Sequence, residues 1–371
     1  MANNNKHTGP NVPALRFPEF SGEWETRTIG DDCKILMCKR IFANQTAPEG
    51  EVPFYKIGTI GDKADAYISK ELFDEYKLKY NYPKCGEVMI TCAGTVGKTI
   101  LYNGQDAYYQ DSNIVWLSNP KNFYSNAFLN YLLNRVDWSK LNSTTITRIY
   151  NDNLRELHIT FPSRQEQDRI VSLLTKIDER ITVQSKIIEE QETLLKSLAD
   201  KLISAQLANV ALCECVEAKA STMKESELDS SGEFPVYGAS GLCGFCSDAL
   251  EESDSILITK DGSGVGTCQY ATGKHSFLGT LCSLTAKENV YLPYIYYALL
   301  NFNFASYKTG QAIPHIYFKD YGKATIYCPS YVEQIRIASG LQKLDAKINA
   351  DIELLRQYRL QKEFLLSRMF I

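Results

Sequence analysis

The sequence contains the same segment twice, at a fixed offset and without a gap. The first copy runs from Pro162 to Ser204, and the second runs from Pro329 to Ile371. Identical residues stand at these matching positions: Glu166 and Glu333, Gln167 and Gln334, Arg169 and Arg336, Ile170 and Ile337, Lys176 and Lys343, Asp178 and Asp345, and Ile181 and Ile348. A duplicated chain should fold into two similar units with similar tasks.

Both copies carry the apolar pattern of a coiled-coil helix, with steps of four and three residues. The seam consists of Ile170, Leu174, Ile177, Ile181, Ile188, Leu195 and Leu198 in the first copy, and of Ile337, Leu341, Leu344, Ile348, Leu355 and Leu365 in the second. The seam is interrupted by Gln184 and Gln191 in the first copy and by Asp351, Tyr358 and Lys362 in the second. Each helix would span roughly 60 Å at ~1.5 Å per residue, which is too long for the core of either globular region. We therefore expect an intramolecular antiparallel coiled coil; packing of each helix on its own domain or on another subunit is the alternative.

Short apolar runs separated by Gly, Pro and Asn turns precede each helix and predict mainly β domains with a helix or two. The expected class is α+β, with two globular domains related by a pseudo-two-fold repeat and joined by the two helices. The predicted divisions are a disordered tail at 1–13, a first globular domain at 14–161, a first helix at 162–206, a second globular domain at 207–328 and a second helix at 329–371.

Composition limits the cellular setting and the kind of partner. The 371 residues include no apolar run of membrane-spanning length, and the polar N-terminus lacks the apolar region of a secretory signal, so we expect a cytoplasmic protein without a membrane partner. Its eleven cysteines then read as reduced thiols. The net charge of -4 hides an acidic stretch at 214–254 and a basic stretch at 260–330, so a locally basic face could still bind phosphate.

A glycine-rich loop follows a predicted strand in each half. Gly97, Lys98 and Thr99 end like a nucleotide-binding P-loop, but Cys92 occupies the position of its first glycine and a strand follows instead of a helix. We instead expect the loops to approach a phosphate or base closely, with a plain β-turn as the alternative. The candidate DNA contacts are Thr91, Gly94, Thr95, Gly97 and Lys98 in the first half, and Lys260, Ser263, Gly264 and Gly266 in the second.

A polar segment precedes each repeated junction and supplies donors and acceptors of the kind that bind bases or phosphates. The candidates are Thr144, Thr145, Arg148 and Tyr150 in the first half, and Gln311, His315 and Tyr317 in the second. Side chains differ at matching positions, as two readers of different sequences would require. Turn residues that satisfy local backbone groups are the alternative.

Catalytic and metal motifs are weak. The pairs Cys213 with Cys215 and Cys243 with Cys246 could form a zinc site, but the first spacing is poor and the first half has no equivalent. We find no dinucleotide fingerprint, methyl-transfer motif or histidine cluster. The pattern favours a binding protein; an enzyme with nucleotide chemistry at Gly94 to Thr99 is the alternative.

Several of these features together resemble the specificity subunit of Type I restriction-modification enzymes. The resemblance covers nearly the whole chain and includes Phe17 to Trp24, the loops at 90–98 and 258–267, the two Pro-Ser-x-x-Glu-Gln junctions and the paired helices. It implies a non-enzymatic subunit of bacterial defence, whose two target-recognition domains each read one half of a split, asymmetric site in double-stranded DNA.

The resemblance also implies partners and cofactors. The two spacer helices would set the distance between half-sites and dock two methyltransferase subunits, which carry S-adenosylmethionine. Restriction and translocase subunits, which use ATP and Mg, would join them, and this chain would bind no cofactor. Inserting four residues after Gln184 should then change the spacer and leave the half-sites unchanged. The alternative is a duplicated coiled-coil scaffold that joins proteins without contacting DNA.

Overall fold

In the computed structural model, which describes residues 11–141, 148–229, 231–310 and 313–371, the chain divides into two units. Unit 1 comprises residues 1–182 and 356–371, and unit 2 comprises residues 183–355. Each unit therefore contains one globular region and a stretch of both long helices. The predicted tail falls largely on residues 1–10, which lie outside the described part.

Unit 1 is built on three small sheets. Its strands are β1 (Glu25–Thr28), β2 (Lys34–Leu36), β3 (Val52–Tyr55), β4 (Tyr67–Ile68), β5 (Val88–Thr91), β6 (Thr99–Leu101), β7 (Tyr108–Tyr109), β8 (Ile114–Ser118) and β9 (His158–Phe161). Antiparallel pairing gives a four-stranded sheet in the order β2-β8-β5-β6 and a ribbon of β1 with β9. The third sheet has the order β4-β3-β7, in which β3 and β7 are parallel.

The helices of unit 1 complete its core and lead into the first long helix. They are α1 (Ile29–Asp32), α2 (Lys70–Lys79), α3 (Asn126–Leu133), α4 (Asn151–Arg155) and α5 (Arg164–Ala199), with short 3-10 helices at Ala43–Gln45 and Trp138–Leu141. The side chains of Ser69 and Ser125 accept the N-terminal amide hydrogen bonds of α2 and α3. The largest core of the unit joins β5, β8 and α3 to both long helices through Leu174 and Met369.

Unit 2 repeats the same plan, strand for strand. Its strands are β10 (Val210–Ala211), β11 (Val216–Ala220), β12 (Phe234–Gly238), β13 (Gly241–Cys246), β14 (Ser255–Thr259), β15 (Cys268–Ala271), β16 (Ser276–Phe277), β17 (Leu281–Ala286) and β18 (Thr325–Ile326). The sheets have the orders β11-β17-β14-β15, β13-β12-β16 and β10-β18, again with one parallel pair, between β12 and β16. Its helices are α6 (Leu212–Cys215), α7 (Leu292–Leu299), α8 (Phe318–Tyr321) and α9 (Tyr331–Met369), with 3-10 helices at Glu225–Glu227 and Phe304–Tyr307. A π-helix, Asp200–Ser204, continues α5.

The two long helices pair in antiparallel fashion within each unit. In unit 1, Lys362 Nζ lies 2.6 Å from Asp178 Oδ1, and the Arg180 guanidinium lies over the Tyr358 ring. In unit 2, Gln191 Nε2 donates to Asp351 Oδ2 at 2.9 Å. The predicted seam residues are buried or half-buried throughout. The predicted fold class is confirmed.

The seam residues contribute to more than a coiled coil. Ile170 and Leu174 pack in the core of unit 1, and Ile337 and Leu341 pack in the core of unit 2. The first turns of each helix are thus part of the globular region that precedes them, as the alternative packing anticipated. Later turns also join a core: Ile188 and Leu195 of α5 lie in that of unit 2, and Met369 of α9 lies in that of unit 1.

The repeated glutamines fix the start of each long helix. Gln167 Oε1 accepts the backbone N–H of Ser125 at 2.7 Å, and its amide nitrogen donates to the Pro162 carbonyl oxygen at 2.9 Å. Gln334 makes the same contacts with the N–H of Tyr291 (2.8 Å) and the carbonyl of Pro329 (2.8 Å). The repeat therefore encodes a joint between each long helix and the helix α3 or α7 beneath it.

A second pair of repeated residues strengthens this joint. The hydroxyl of Tyr131 on α3 donates to Asp178 Oδ2 at 2.7 Å, and that of Tyr297 on α7 donates to Asp345 Oδ2 at 3.2 Å. Burial and the bond to Asp178 raise the pKa of Tyr131 to about 12, and burial raises the pKa of Asp345.

Among the described residues, no helix is long and apolar enough to cross a bilayer.

Candidate nucleic-acid interface

The two glycine-rich loops connect equivalent strands, β5 to β6 and β14 to β15. The Gly97 N–H donates to the Thr91 carbonyl oxygen at 2.8 Å, and the Gly266 N–H donates to that of Thr259 at 2.9 Å. Thr91 and Thr259 in turn donate their N–H groups to Lys98 and Thr267. The loops are thus closed hairpins with the same internal hydrogen bonds.

Gly97 and Gly266 are required for a close contact with an aromatic ring. Both have positive φ, +83° and +93°. A Cβ on Gly97 would lie 2.1 Å from Trp138, and one on Gly266 would lie 2.8 Å from Phe304. Trp138 opens the 3-10 helix Trp138–Leu141, and Phe304 opens the 3-10 helix Phe304–Tyr307. These two glycines therefore hold the loop against the globule.

The second polar segment lies directly beside the loop in each unit. The Ile149 N–H donates to the Cys92 carbonyl oxygen at 2.9 Å, and the Ile316 N–H donates to that of Lys260 at 3.0 Å. The two motifs of each half, separated by about 50 residues of sequence, form one surface cluster. We call these clusters the reading faces: residues 91–98 and 148–150 in unit 1, and residues 260–267 and 313–317 in unit 2.

The candidates of unit 1 differ in their access to solvent. Gly94 and Thr95 are exposed at the tip of the loop, whereas Thr91 and Gly97 are buried. Lys98 is half-buried and its Nζ donates to the Ile60 carbonyl oxygen at 2.6 Å. The exposed members are therefore the ones available to a ligand.

Arg148 and Tyr150 form the other side of this reading face. Arg148 Nη2 donates to the Ser112 carbonyl oxygen at 3.4 Å, and its guanidinium lies 5.9 Å from the centre of the Tyr150 ring. The Tyr150 side chain is 58% exposed. Burial raises the pKa of the Cys92 thiol to about 11, with Arg148 opposing the shift.

The candidate residues of unit 2 lie at the equivalent positions but carry different functional groups. Ser263 and Gly264 are exposed at the loop tip. His315 Nδ1 and Asp261 Oδ1 lie 2.6 Å apart in a hydrogen bond, which fixes the ring beside the loop. Tyr317 is half-exposed, and Lys319 Nζ lies 5.3 Å from the centre of its ring. The candidates Thr144, Thr145 and Gln311 lie outside the described residues.

The P-loop-like segment and the cysteine pairs have other roles in the structure. Thr99 opens strand β6, so the loop before it does not lead into the helix of a P-loop. The cysteines are free thiols, and Cys215 hydrogen-bonds to Cys328 while Cys246 hydrogen-bonds to the carbonyl of Asp248. Within the described ranges, no group of three or more metal-binding side chains converges.

The structure adds residues to the reading face of unit 1 that the sequence analysis missed. Ser112 has a positive φ of +51° and meets Arg148 through its carbonyl. Its neighbour Asp111 lies 3.5 Å from the guanidinium of Arg40. In the sequence, this part of the surface could have been recognised from Lys39, Arg40 and Phe42, which form a basic and aromatic run after a strand.

Fold and site together define a duplicated protein, in which the scaffold is repeated and the exposed side chains of the reading faces are exchanged. Comparison with known proteins agrees with this class. A model of the type I restriction modification DNA specificity domain matches residues 21–193 and again 209–354. The chain belongs to this family.

Individual relatives support the assignment. A protein described as a type I restriction enzyme specificity subunit of Haemophilus influenzae is 49% identical over 150 residues, which cover 40% of this chain and 39% of that protein. The match thus spans well under half of that relative's length. The S subunit of a type I restriction-modification system from M. genitalium has the same fold, with a TM-score of 0.66 and 21% identity over 97% of this chain and 99% of that one.

A second solved structure shares the fold more distantly. It is described as showing the basis of complex assembly and conformational transition of the type I R-M system, and it matches with a TM-score of 0.54 and 15% identity, covering 94% of this chain and 97% of that one.

Proposed function

We propose that this chain is the sequence-reading subunit of a type I restriction-modification complex, in which each unit recognises one half of a split, asymmetric site in double-stranded DNA. The observation that carries the proposal is the pair of reading faces. Their backbones are held by the same hydrogen bonds in both units, but Arg148 stands where the other unit has His315. A shared scaffold with different side chains suits two readers of different base sequences.

The long helices have the properties of a spacer that also docks partners. Val183 and Ile187, one helical turn apart, remain exposed in unit 2, as do Leu360 and Phe364 in unit 1. Such pairs on a helix whose other face is buried suit the attachment of further helices. We assign these surfaces to two methyltransferase subunits, with the restriction and translocase subunits joining that complex.

The chemistry then belongs to the partners and takes place in the cytoplasm. S-adenosylmethionine would be held by the methyltransferase subunits, and ATP and Mg by the translocase, with no cofactor on this chain. The acidic stretch at 214–254 would face away from the DNA or towards a partner, because like charges repel phosphates.

The proposal is tested by sequencing modified bases in the host genome with and without the gene for this chain. We expect one methylated motif made of two different half-sites around a fixed gap, which disappears on deletion and returns with the intact gene. If a complex containing this chain assembles but no methylated motif depends on it, the chain is a scaffold and the proposal is wrong.

A further inference from the structure

The loop between β2 and β3 in unit 1 presents two cations beside an exposed aromatic ring. Lys39 and Arg40 are exposed, and the Phe42 side chain is 59% exposed. A single exposed apolar side chain needs no explanation. An exposed ring with adjacent cations does need an explanation, because cations bind phosphates and aromatic rings pack on bases or sugars.

This loop is held in place on both sides of the exposed residues. Cys38 and Ile41 are buried in a core of unit 1. The Phe42 N–H donates to Gln45 Oε1 at 2.9 Å, and Thr46 Oγ1 donates to the Ala43 carbonyl oxygen at 2.9 Å. These contacts keep the Phe42 side chain exposed. Binding of a ligand would therefore require little further ordering of the loop.

The loop adjoins the reading face of unit 1. Arg40 Nε lies 3.5 Å from Asp111 Oδ2, and the next residue, Ser112, accepts the hydrogen bond from Arg148 through its carbonyl oxygen. Lys39 Nζ lies over the ring of Tyr80 on the same unit. A ligand in contact with Arg148 would therefore meet the cations of this loop next.

The equivalent segment of unit 2 is acidic, whereas the unit 1 segment, residues 37–51, has Lys39 and Arg40 near its start and Glu49 and Glu51 at its end. Residues 221–233, between β11 and β12, contain Glu225, Glu227, Asp229 and Glu233 and a single cation, Lys224. Phosphate would be repelled there. Because the equivalent loop of unit 2 lacks these two cations, the shared fold does not require them. A contact with a ligand would account for their presence in unit 1.

We propose that Lys39, Arg40 and Phe42 form a DNA-binding arm present only on unit 1, with the two cations on backbone phosphates beside the half-site and Phe42 against a sugar or base. The inference rests on the proposed function. It makes the two units unequal, so that unit 1 supplies more of the affinity that depends on salt.

The arm is tested by the salt dependence of DNA binding by the full chain in its complex. The probe is a labelled duplex carrying the methylated motif, titrated at several salt concentrations. For Lys39→Ala/Arg40→Ala, the slope of log K against log[salt] should fall in magnitude by about 2, one for each phosphate contact. For Phe42→Ala we expect weaker binding with the slope unchanged.

The control variant is Lys34→Ala/Arg155→Ala, which removes two exposed cations of the same unit. Lys34 lies opposite Ser118, at the end of β8 distant from Ser112, and its loss with Arg155 should leave the slope unchanged.

Three outcomes are decisive. An unchanged slope for Lys39→Ala/Arg40→Ala, with normal binding by the wild type, overturns the arm and leaves the proposed function standing. An unchanged slope with loss of a methyltransferase subunit from the purified complex makes the loop a protein contact, which also overturns the arm. A wild-type complex that binds the motif no better than a scrambled duplex overturns both proposals.

Discussion

Gln167 and Gln334 hold equivalent places in the two units, and their role could be foreseen only in part. The sequence shows the repeated residues but not their partners, because Ser125 and Tyr291 contribute backbone N–H groups that have no sequence signature. The same limit applies to Gly97. Its position in a loop was predictable, but sequence cannot tell whether a glycine admits a ligand or, as here, the ring of Trp138.

Gln167→Ala should lower the free energy of unfolding by about 1 to 3 kcal/mol, because the buried N–H of Ser125 would lose its acceptor. Denaturant unfolding of the full chain measures this. The matched control is Gln165→Ala, an exposed glutamine on the same turn, which should change stability by about 0.5 kcal/mol at most. Equal effects of the two substitutions would show that the joint does not stabilise the fold.

Arg148→Ala should weaken discrimination at one half-site only, by about 1 to 3 kcal/mol if its guanidinium contacts a base. Binding of the variant complex is measured on duplexes altered in either half of the motif. Arg155→Ala, which removes an exposed arginine of the nearby helix α4, should leave both half-sites unchanged. Equal losses at both half-sites with Arg148→Ala would place this residue outside the reading face.

At the scale of elements, the long helices were the most predictable part, because their seam repeats over many turns. The central strands β5, β8, β14 and β17 were predictable as apolar runs. Helix α2 was not, since Phe73 is its one buried residue and its ten charged, aromatic and leucine side chains show no clear period. Two-residue strands such as β4 and β7 form by pairing with β3, and this pairing could not be predicted from the sequence.

Asp351 gives the helix pair a polar contact that titrates. Hydrogen bonds from Gln191 and then Lys347 hold the pKa of Asp351 below its ordinary value, so its stabilising effect is full above that value and is lost as pH falls through the folded-state pKa. Asp351→Asn should therefore show a smaller loss of stability in acid than the wild type. Denaturant unfolding across the acid range measures the difference, with exposed Glu190→Gln as the control; identical pH profiles for Asp351→Asn and wild type would contradict it.

The spacer role of the helices is tested by lengthening both together. Gln184 and Asp351 are equivalent positions of the repeat, and Gln184 Nε2 donates to the Asp351 carbonyl oxygen at 3.4 Å. Four residues inserted after each would add about 6 Å of helix, close to two base pairs of DNA. We expect a methylated motif with a longer gap and the same half-sites. Altered half-site sequences would contradict the spacer role.

At the scale of the whole molecule, duplication was readable from the sequence, but the contrast within it carries the functional argument. The joints at Gln167 and Gln334 are repeated, while Arg148 and His315 differ on equivalent backbones. The loop after β11 is acidic, whereas the loop after β2 begins with the two cations Lys39 and Arg40. The copies agree where they must form the same scaffold and differ where a ligand would be read.

The most direct measurement is the methylated motif produced by a chain with two copies of the first reader. Pairing of Arg27 with Ile159 in unit 1 matches that of Val210 with Ile326 in unit 2, so residues 27–159 can replace residues 210–326 at equivalent junctions. Gln334 and Asp345 remain to hold the transplanted copy as Gln167 and Asp178 hold the original. We predict a symmetric motif, in which the half-site of unit 1 occurs twice as an inverted repeat. A motif that keeps the half-site of unit 2 would contradict the claim that each unit reads its own half.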